Sequence, residues 1–519
     1  MPVIVPSAVA LDRFSEIGDL GASMRRLLTR IFMPLAVLLT IGVGFTWHNG
    51  QPGAAALALI SLGSLVVLAV WNNRGIGVPV LPMFALQHLL AYGLPILIGQ
   101  EVTRQYPEAF IFDCGVEVLV FSLTLAAAWR FGMEMMRPAS PICYALQGVE
   151  KEGMQKLERL GINMVLSSLV YQILQRLNLL DSFLRVLPTG SLSMINVLVA
   201  GLSTCGFFLS ATMLGRGQMS SAKQGLFWLM LTANCLFSAS SFLISSAATY
   251  IFSTVIGLIW GSGRVPWRFL TVVMLCLSFL SAGKYTMRDR YWSLDGMGSI
   301  PEFSLAEMPA HYAEWTEASV AALTGQAVET TTAMVGTKER PEKAGSILDR
   351  INNLQNLLWV VNSLESKRIE PLHGATYLLI PPLLVPRILW PDKPRAHEGQ
   401  VLLNVHFGRQ DLESTTKAYI AWGLLAEAYG NFGPYLGAIF IGAVLGLFSA
   451  WMENVTARKL LFSLEGFLCF TVFLGLVNSF EMVASVLVTS IFQAVVPIII
   501  ASTPFVERIS VRRPTAESS

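Results

Sequence analysis

Runs of apolar residues near twenty in length, separated by short charged links, recur along the chain and predict a stack of membrane-crossing helices. A helix needs about 20 apolar residues, with a range of about 17–25, to cross the hydrocarbon core. Such runs occupy 31–47, 54–71, 79–99, 111–129, 191–214, 224–240, 242–260, 267–283, 432–450, 460–480 and 483–503. A twelfth, 161–187, is apolar but carries Arg176, Asp181 and Arg185. Counting it as a span puts the N-terminus, the even-numbered links and the C-terminus on one side. That side collects nineteen Lys and Arg residues, from Arg13 and Arg25 through Arg130 and Lys223 to Arg513, whereas the short links opposite hold Arg104. By the positive-inside rule the nineteen are cytoplasmic. The expected fold class is an all-α polytopic membrane protein with about 12 transmembrane helices and both termini in the cytoplasm.

The same pattern divides the chain. Residues 1–30 form a cytoplasmic N-terminal segment, 31–283 the first nine spans, 284–431 a large outer loop, 432–503 the last three spans and 504–519 a cytoplasmic tail. The loop carries fourteen Lys and Arg residues, which does not oppose its outer placement, because long loops cross regardless of charge. Within it, 347–364 sets Ile347, Ile351, Leu354, Leu358 and Val361 at helical spacing, with Asp349, Arg350, Asn352 and Asn353 between them and Ser346 as cap. This predicts an amphipathic helix lying on the outer bilayer surface or packing over the bundle. Residues 318–345, rich in Ala, Thr, Gly, Lys and Glu, read as a mobile surface excursion.

Composition agrees with the pattern. Hydrophobic residues make up 53% of the chain and charged ones 13%, against about 25% charged in a soluble protein. A net charge of +2 argues against a nucleic-acid partner. Six scattered cysteines with no C-x-x-C offer neither a disulfide framework nor a zinc site. The chain has no Walker loop, H-E-x-x-H or G-x-S-x-G, and its outer loop has no Asp-x-Asp of the metal-dependent nucleotide-sugar transferases. No cofactor and no metal is expected.

Candidate chemistry concentrates at the outer loop. "VPRILWPDKPRAHEG", 385–399, follows "TYLLIPP". Pro381, Pro382, Pro386, Pro391 and Pro394 exclude a regular helix across the region and predict a stiff lip at the outer interface, with Trp390 at headgroup level. Arg387, Lys393, Arg395 and His397 project from it. Arg forks match phosphate oxygens and Lys adds a point charge, so the set suits a diphosphate, or else anchors the loop to anionic headgroups. "GKYTMRDRYW", 283–292, is a second basic element, with Lys284, Arg288 and Arg290 facing the same pocket or forming an interfacial girdle with Tyr291 and Trp292. In "YIAWGLLAEAYGNFGPYLG", 419–437, Glu427 sits among apolar neighbours, as a general base or as a structural carboxylate capping a helix or pairing with an arginine. Asp113 and Glu117, four apart on the fourth span, either hydrogen-bond sugar hydroxyls or neutralise arginines. Arg176 and Asp181 in the fifth run raise the same question, function against internal pairing.

"PRILWPDKP" at 386–394, "GKYTMRDR" at 283–290 and "EAYGNFGPYLGAIFIGAVLG" at 427–446, in that arrangement around a large outer loop, resemble the bacterial oligosaccharide repeat-unit polymerases of the Wzy family. The resemblance covers about 160 residues of the C-terminal half. It implies a metal-independent glycosyltransferase of the bacterial inner membrane. Such an enzyme moves a growing O-antigen or exopolysaccharide chain from undecaprenyl diphosphate onto a lipid-linked repeat unit at the periplasmic face. The implied partners are the undecaprenyl-diphosphate-linked oligosaccharide, membrane lipids, a chain-length regulator and a flippase. The implied site places Arg288, Arg290, Lys393 and Arg395 with Arg387 on the diphosphate and Asp113 and Glu117 on the glycan. Glu427 is the favoured base, with Asp113, Glu117 and His397 as the other candidates. The alternatives are a ligase-type glycan transferase, a lipid-linked oligosaccharide transporter and a non-enzymatic scaffold of an export complex.

Overall fold

The computed structural model describes residues 3–4, 16–137, 140, 142–146, 151–180, 191–242, 244–262, 264–292, 303–324, 351–385, 389–390, 392–417, 420–460, 463–477, 479–502 and 506–510. Helices carry the architecture. In chain order they are α1 (Ile17–His48), α2 (Ala54–Arg74), α3 (Val80–Leu97), α4 (Glu108–Met135), α5 (Lys151–Arg176), α6 (Ser191–Gly215), α7 (Ser221–Ala239), α8 (Ile244–Ser262), α9 (Trp267–Trp292), α10 (Met308–Thr324), α11 (Leu354–Glu365), α12 (Ile380–Leu384), α13 (Glu398–His406), α14 (Leu412–Lys417), α15 (Leu424–Phe432), α16 (Leu436–Thr456), α17 (Leu464–Val477) and α18 (Ala484–Ser502).

Eleven of the apolar runs fall on these helices, and 161–187 does so as far as Arg176. Seven stretches are long and apolar enough to cross a membrane: Ile17–His48, Ala54–Arg74, Val80–Leu97, Glu108–Met135, Leu198–Gly215, Trp267–Lys284 and Leu436–Thr456. Three shorter apolar stretches lie in α8, α17 and α18. This is a multi-pass membrane protein. The 161–187 run differs from its expected form. Its helix begins at Lys151 and ends at Arg176, because "KEGMQKLERL" is built of good helix formers without proline. Asp181 and Arg185 lie outside the described residues.

The chain forms two compact units. One comprises Met1–Gln147 with Leu348–Ser519, the other Gly148–Ile347. The long segment 284–431 is thus divided between them.

In the first unit, α2, α4 and α16 make the central contacts, with Trp71, Phe121, Leu125 and Trp129 buried among them. Beside the all-helical architecture, a small three-stranded sheet of order β1-β3-β2 joins β1 (Val3–Ile4), β2 (Ile142–Leu146) and β3 (Val506–Ser510). β3 runs parallel to β1 and antiparallel to β2. Strands this short, two to five residues, carry too little alternation to be read locally. At the same end of the unit the Ile17 and Gly18 amides donate to the Lys459 and Ala457 carbonyls, both at 3.0 Å. Lys459 in turn donates to the carbonyls of Ser140, at 3.1 Å, and Ile142. The start of α1, the links after α4 and α16 and the end of the chain therefore gather together.

Two expectations about the outer loop are corrected here. Of the expected 347–364 helix, residues 347–350 and the cap Ser346 lie outside the described residues, and the described helix α11, Leu354–Glu365, belongs to the core. Leu354, Leu357, Leu358, Val360 and Val361 are fully buried, and so are Asn352, Asn353 and Asn356. The asparagines expected on a wet face are instead bonded inside the protein. Asn352 donates to Gln100 Oε1 at 2.5 Å, and Asn356 to the carbonyls of Ala421 and Trp422 at 2.9 and 3.2 Å. One anchor comes from α3, whose middle is a π-helical turn, Leu89–Gly93. Pro95 has no N–H to offer the Ala91 carbonyl four residues earlier, and the Asn353 amide takes its place at 3.0 Å. The second correction concerns 318–345. Residues 318–324 are the end of α10, with Ala318 and Ser319 buried, and 325–345 lie outside the described residues.

In the second unit, α6 and α8 approach through small residues, as membrane helices do where side-chain bulk would hold backbones apart. A Cβ built on Gly257 would sit 2.5 Å from the Phe208 carbonyl oxygen and 2.8 Å from Ala211 Cβ. Gly257→Leu is expected to force the pair apart and cost about 1–3 kcal/mol. A thermal melt of the variant in detergent that matches the wild type would contradict this close packing.

Candidate functional site

The Pro-rich lip begins as a single helical turn where regular helix was excluded. Pro381 and Pro382 lie in the first turn of α12, where a missing N–H costs nothing. The turn ends at Val385, whose extended backbone (φ −72°, ψ 127°) is what a residue preceding proline requires. A helix end leaves carbonyls without partners, and Lys393 folds back to meet them. Its Nζ donates to the Leu383 carbonyl at 2.6 Å and to that of Val385. Lys393 therefore staples the lip. Arg387, Pro386 and Pro391 lie outside the described residues, while Trp390 and Arg395 are exposed. His397 is half-buried at the start of α13, with Nδ1 2.6 Å from Gln400 Oε1.

This lip is fastened to α15 and α18. Thr376, at its root, and Asn431 bond reciprocally: the Thr376 amide donates to Asn431 Oδ1 at 3.4 Å, and Asn431 Nδ2 donates to Thr376 Oγ1 at 2.9 Å. Ser485 Oγ donates to the Ala396 carbonyl at 3.3 Å. A Cβ on Gly399 would lie 2.9 Å from Ser485 Oγ, so the chain there runs directly over the start of α18.

Glu427 sits at the centre of this block and is fully buried. Its Oε2 accepts from the Ala484 amide at 2.5 Å, which caps the positive end of α18. Its Oε1 is buried and makes no hydrogen bond of good geometry. Burial drives its carboxyl up to about 7, against a pull downward from the Ala484 amide and the Thr376 hydroxyl. The folded protein thus holds this proton more tightly than the unfolded chain, where the group titrates near 4.5. Its contribution to stability is full below pH 4.5 and is lost as pH rises to about 7, a change on the order of 3 kcal/mol. Melting temperature should fall across that interval, and Glu427→Gln should flatten the decline. An unaltered slope in the variant would assign the titration to another group.

Glu117 repeats the device. Buried on α4, its Oε1 accepts from the Tyr435 amide at 2.7 Å and so caps α16, while Oε2 has no hydrogen bond. Asp113 is half-buried one turn away. Tyr429 of α15 is pushed upward by burial and by the nearby carboxylates of Glu117, Glu365 and Asp113, which places these three acids around one phenol.

The second basic element belongs to the other unit and is engaged there. Lys284 is buried. Arg288 donates from Nε and Nη2 to the Phe242 carbonyl at 3.2 and 2.9 Å. Arg290 pairs with Glu314, which also accepts from the Tyr291 hydroxyl at 2.5 Å. Arg176 likewise binds the carbonyls of Phe303 and Phe237 and the Ser240 hydroxyl at 2.7–2.8 Å.

Two polar centres of the first unit escape the sequence pattern. Arg409 donates to Asn356 Oδ1 and lies 5.8 and 5.6 Å from the ring centres of Trp359 and Trp422. Lys367 stands 4.6 Å from the same Trp359 ring. Glu453, fully buried in α16, accepts from the indoles of Trp71 and Trp129 at 2.7 and 3.1 Å and from the Ile76 amide at 3.1 Å. A lone acid in the last turn of an apolar span was the available signal for Glu453; Arg409, inside a polar loop, offered none. Among the described residues no group of three or more His, Cys, Asp or Glu side chains is placed to hold a metal.

Compared with known protein families, characterised proteins and solved structures, the chain matches none.

Proposed function

We propose that the chain is a polysaccharide polymerase of the bacterial inner membrane. It transfers a growing glycan from undecaprenyl diphosphate to a lipid-linked repeat unit at the periplasmic face. The observation that carries this reading is the joining of the basic lip to the Glu427 block. Thr376–Asn431 and Ser485–Ala396 bring Arg395 and His397 onto the same scaffold as a buried carboxyl poised near neutrality.

In the reaction the acceptor hydroxyl oxygen attacks the anomeric carbon, the bond from that carbon to the diphosphate breaks, and the hydroxyl proton passes to a base. Arg387 and Arg395 offset the charge growing on the departing diphosphate. Lys393 holds the lip in place, its ammonium being bonded to backbone carbonyls. Arg288 and Arg290 are bonded within their own unit, so the diphosphate falls first to the lip arginines. Glu427 or His397 takes the proton, and Asp113 and the unbonded Oε2 of Glu117 are acceptors for glycan hydroxyls. Twelve spans with both termini in the cytoplasm complete the reading. Support comes from the gathering of the α1 start, the links after α4 and α16 and the chain end at one pole of the first unit. A flippase supplying the repeat unit and a chain-length regulator are the expected partners.

The test is reconstitution of the purified full-length protein in liposomes with purified lipid-linked repeat unit. A ladder of lengthening glycans on the lipid supports the proposal. Donor that crosses the bilayer without being lengthened would replace it with transport, and donor left untouched would remove the enzymatic reading.

A further inference from the structure

A cavity in the first unit is lined by Gln87, His88, Tyr92 and Ser479 together with apolar side chains including Phe121 and Leu424. It leaves about 20 Å³ for the centre of a water molecule, where one water needs about 10–15 Å³ and two to four polar partners. His88 is 8% exposed and Ser479 2%. Among the described residues neither the His88 imidazole nor the Ser479 hydroxyl has a protein hydrogen bond. The contacts of His88 are to rings, with Phe121 edge-on at 4.6 Å and Tyr92 at 5.5 Å between centroids. Gln87 fixes its amide nitrogen on the Leu476 and Val477 carbonyls at 3.0 and 2.7 Å, which leaves its carbonyl oxygen as an acceptor. A neutral imidazole always carries one N–H, and a buried donor without a partner is costly.

We infer that this cavity binds one structural water, shared by His88 and Ser479, with Gln87 as a third partner. The site joins two elements that matter elsewhere. His88 borders the π-helical turn of α3. Ser479 opens the turn Ser479–Glu481 that leads into α18, whose first amide meets Glu427. The water pins that turn to the membrane helix, so the capped end of α18 is positioned from below as well as from the lip.

Two measurements on the full-length protein test this. A density map at about 2 Å should show a water within about 2.7–3.2 Å of both the imidazole and Ser479 Oγ; a dry cavity overturns the inference. Thermal melts of Ser479→Ala, His88→Phe and the double variant provide a cycle. Each single change should lower the melting temperature by about 2–4 °C, and the double by no more than the larger single, because both lose the same molecule. Additive shifts would overturn it. If His88→Phe fails to fold, His88→Gln, which keeps a donor and an acceptor, should retain the water and melt like the wild type; loss of the water there would count against the assignment.

Discussion

Replacing Glu453 by alanine is expected to leave little folded protein. One carboxyl group accepts two buried indole N–H groups and a half-buried backbone amide: Trp71 from α2, Trp129 from α4 and Ile76 from the link before α3. Alanine removes the acceptor and strands the three donors. Each donor left without a partner costs about 1–3 kcal/mol, so the three together cost several kcal/mol. Against a total stability of about 5–15 kcal/mol, that is a large share. Glu453→Gln should fall between, because its amide oxygen can still accept from the indoles while its NH₂ opposes the Ile76 amide. The measurement is the yield of monodisperse protein in detergent and its melting temperature. A Glu453→Ala variant with wild-type yield and melting would show that the three donors find other partners.

Arg387→Ala should abolish polymer while protein level and melting stay normal. Removing one donor that faces a developing negative charge lowers turnover by about 10²–10³-fold, and the bidentate fork of Arg is suited to a diphosphate oxygen pair. Arg387→Lys keeps the charge but not the fork, so it should recover part of the rate. Lys393 staples the lip through the Leu383 and Val385 carbonyls, so a melting temperature equal to the wild type's would separate lost catalysis from a loosened lip. Wild-type chain length in the alanine variant would take Arg387 out of the site.

What could be read from the chain was what repeats along it. Apolar runs declare helices because the bilayer imposes one length on all of them, and eleven of the runs and the first part of 161–187 lie on helices. What could not be read depends on partners far away in the sequence. Glu453 is defined by tryptophans more than 300 residues earlier, and its place in the last turn of an apolar span marks it as unusual without naming those partners. Asn352 and Asn353 look polar-faced in a helical wheel, yet the orphaned Ala91 carbonyl and Gln100 claim them inside the protein. Glu427 was open between base and cap, and the contact with Ala484 gives it a capping bond without removing its proton-holding character. Lys393 read as a phosphate ligand because its charge was visible and the helix end it completes was not.

The placement of β3 between β1 and β2 has a consequence for biogenesis. Residues 3–4 and 142–146 each need 506–510 as their neighbour, and 506–510 follow the first strand by about 500 residues. At about 5–20 residues per second, the first strand must wait on the order of a minute for its mate. Closure of that pole is thus a late event in synthesis, and a nascent chain arrested before Val506 would present two unmated strand edges to the insertion and quality-control machinery.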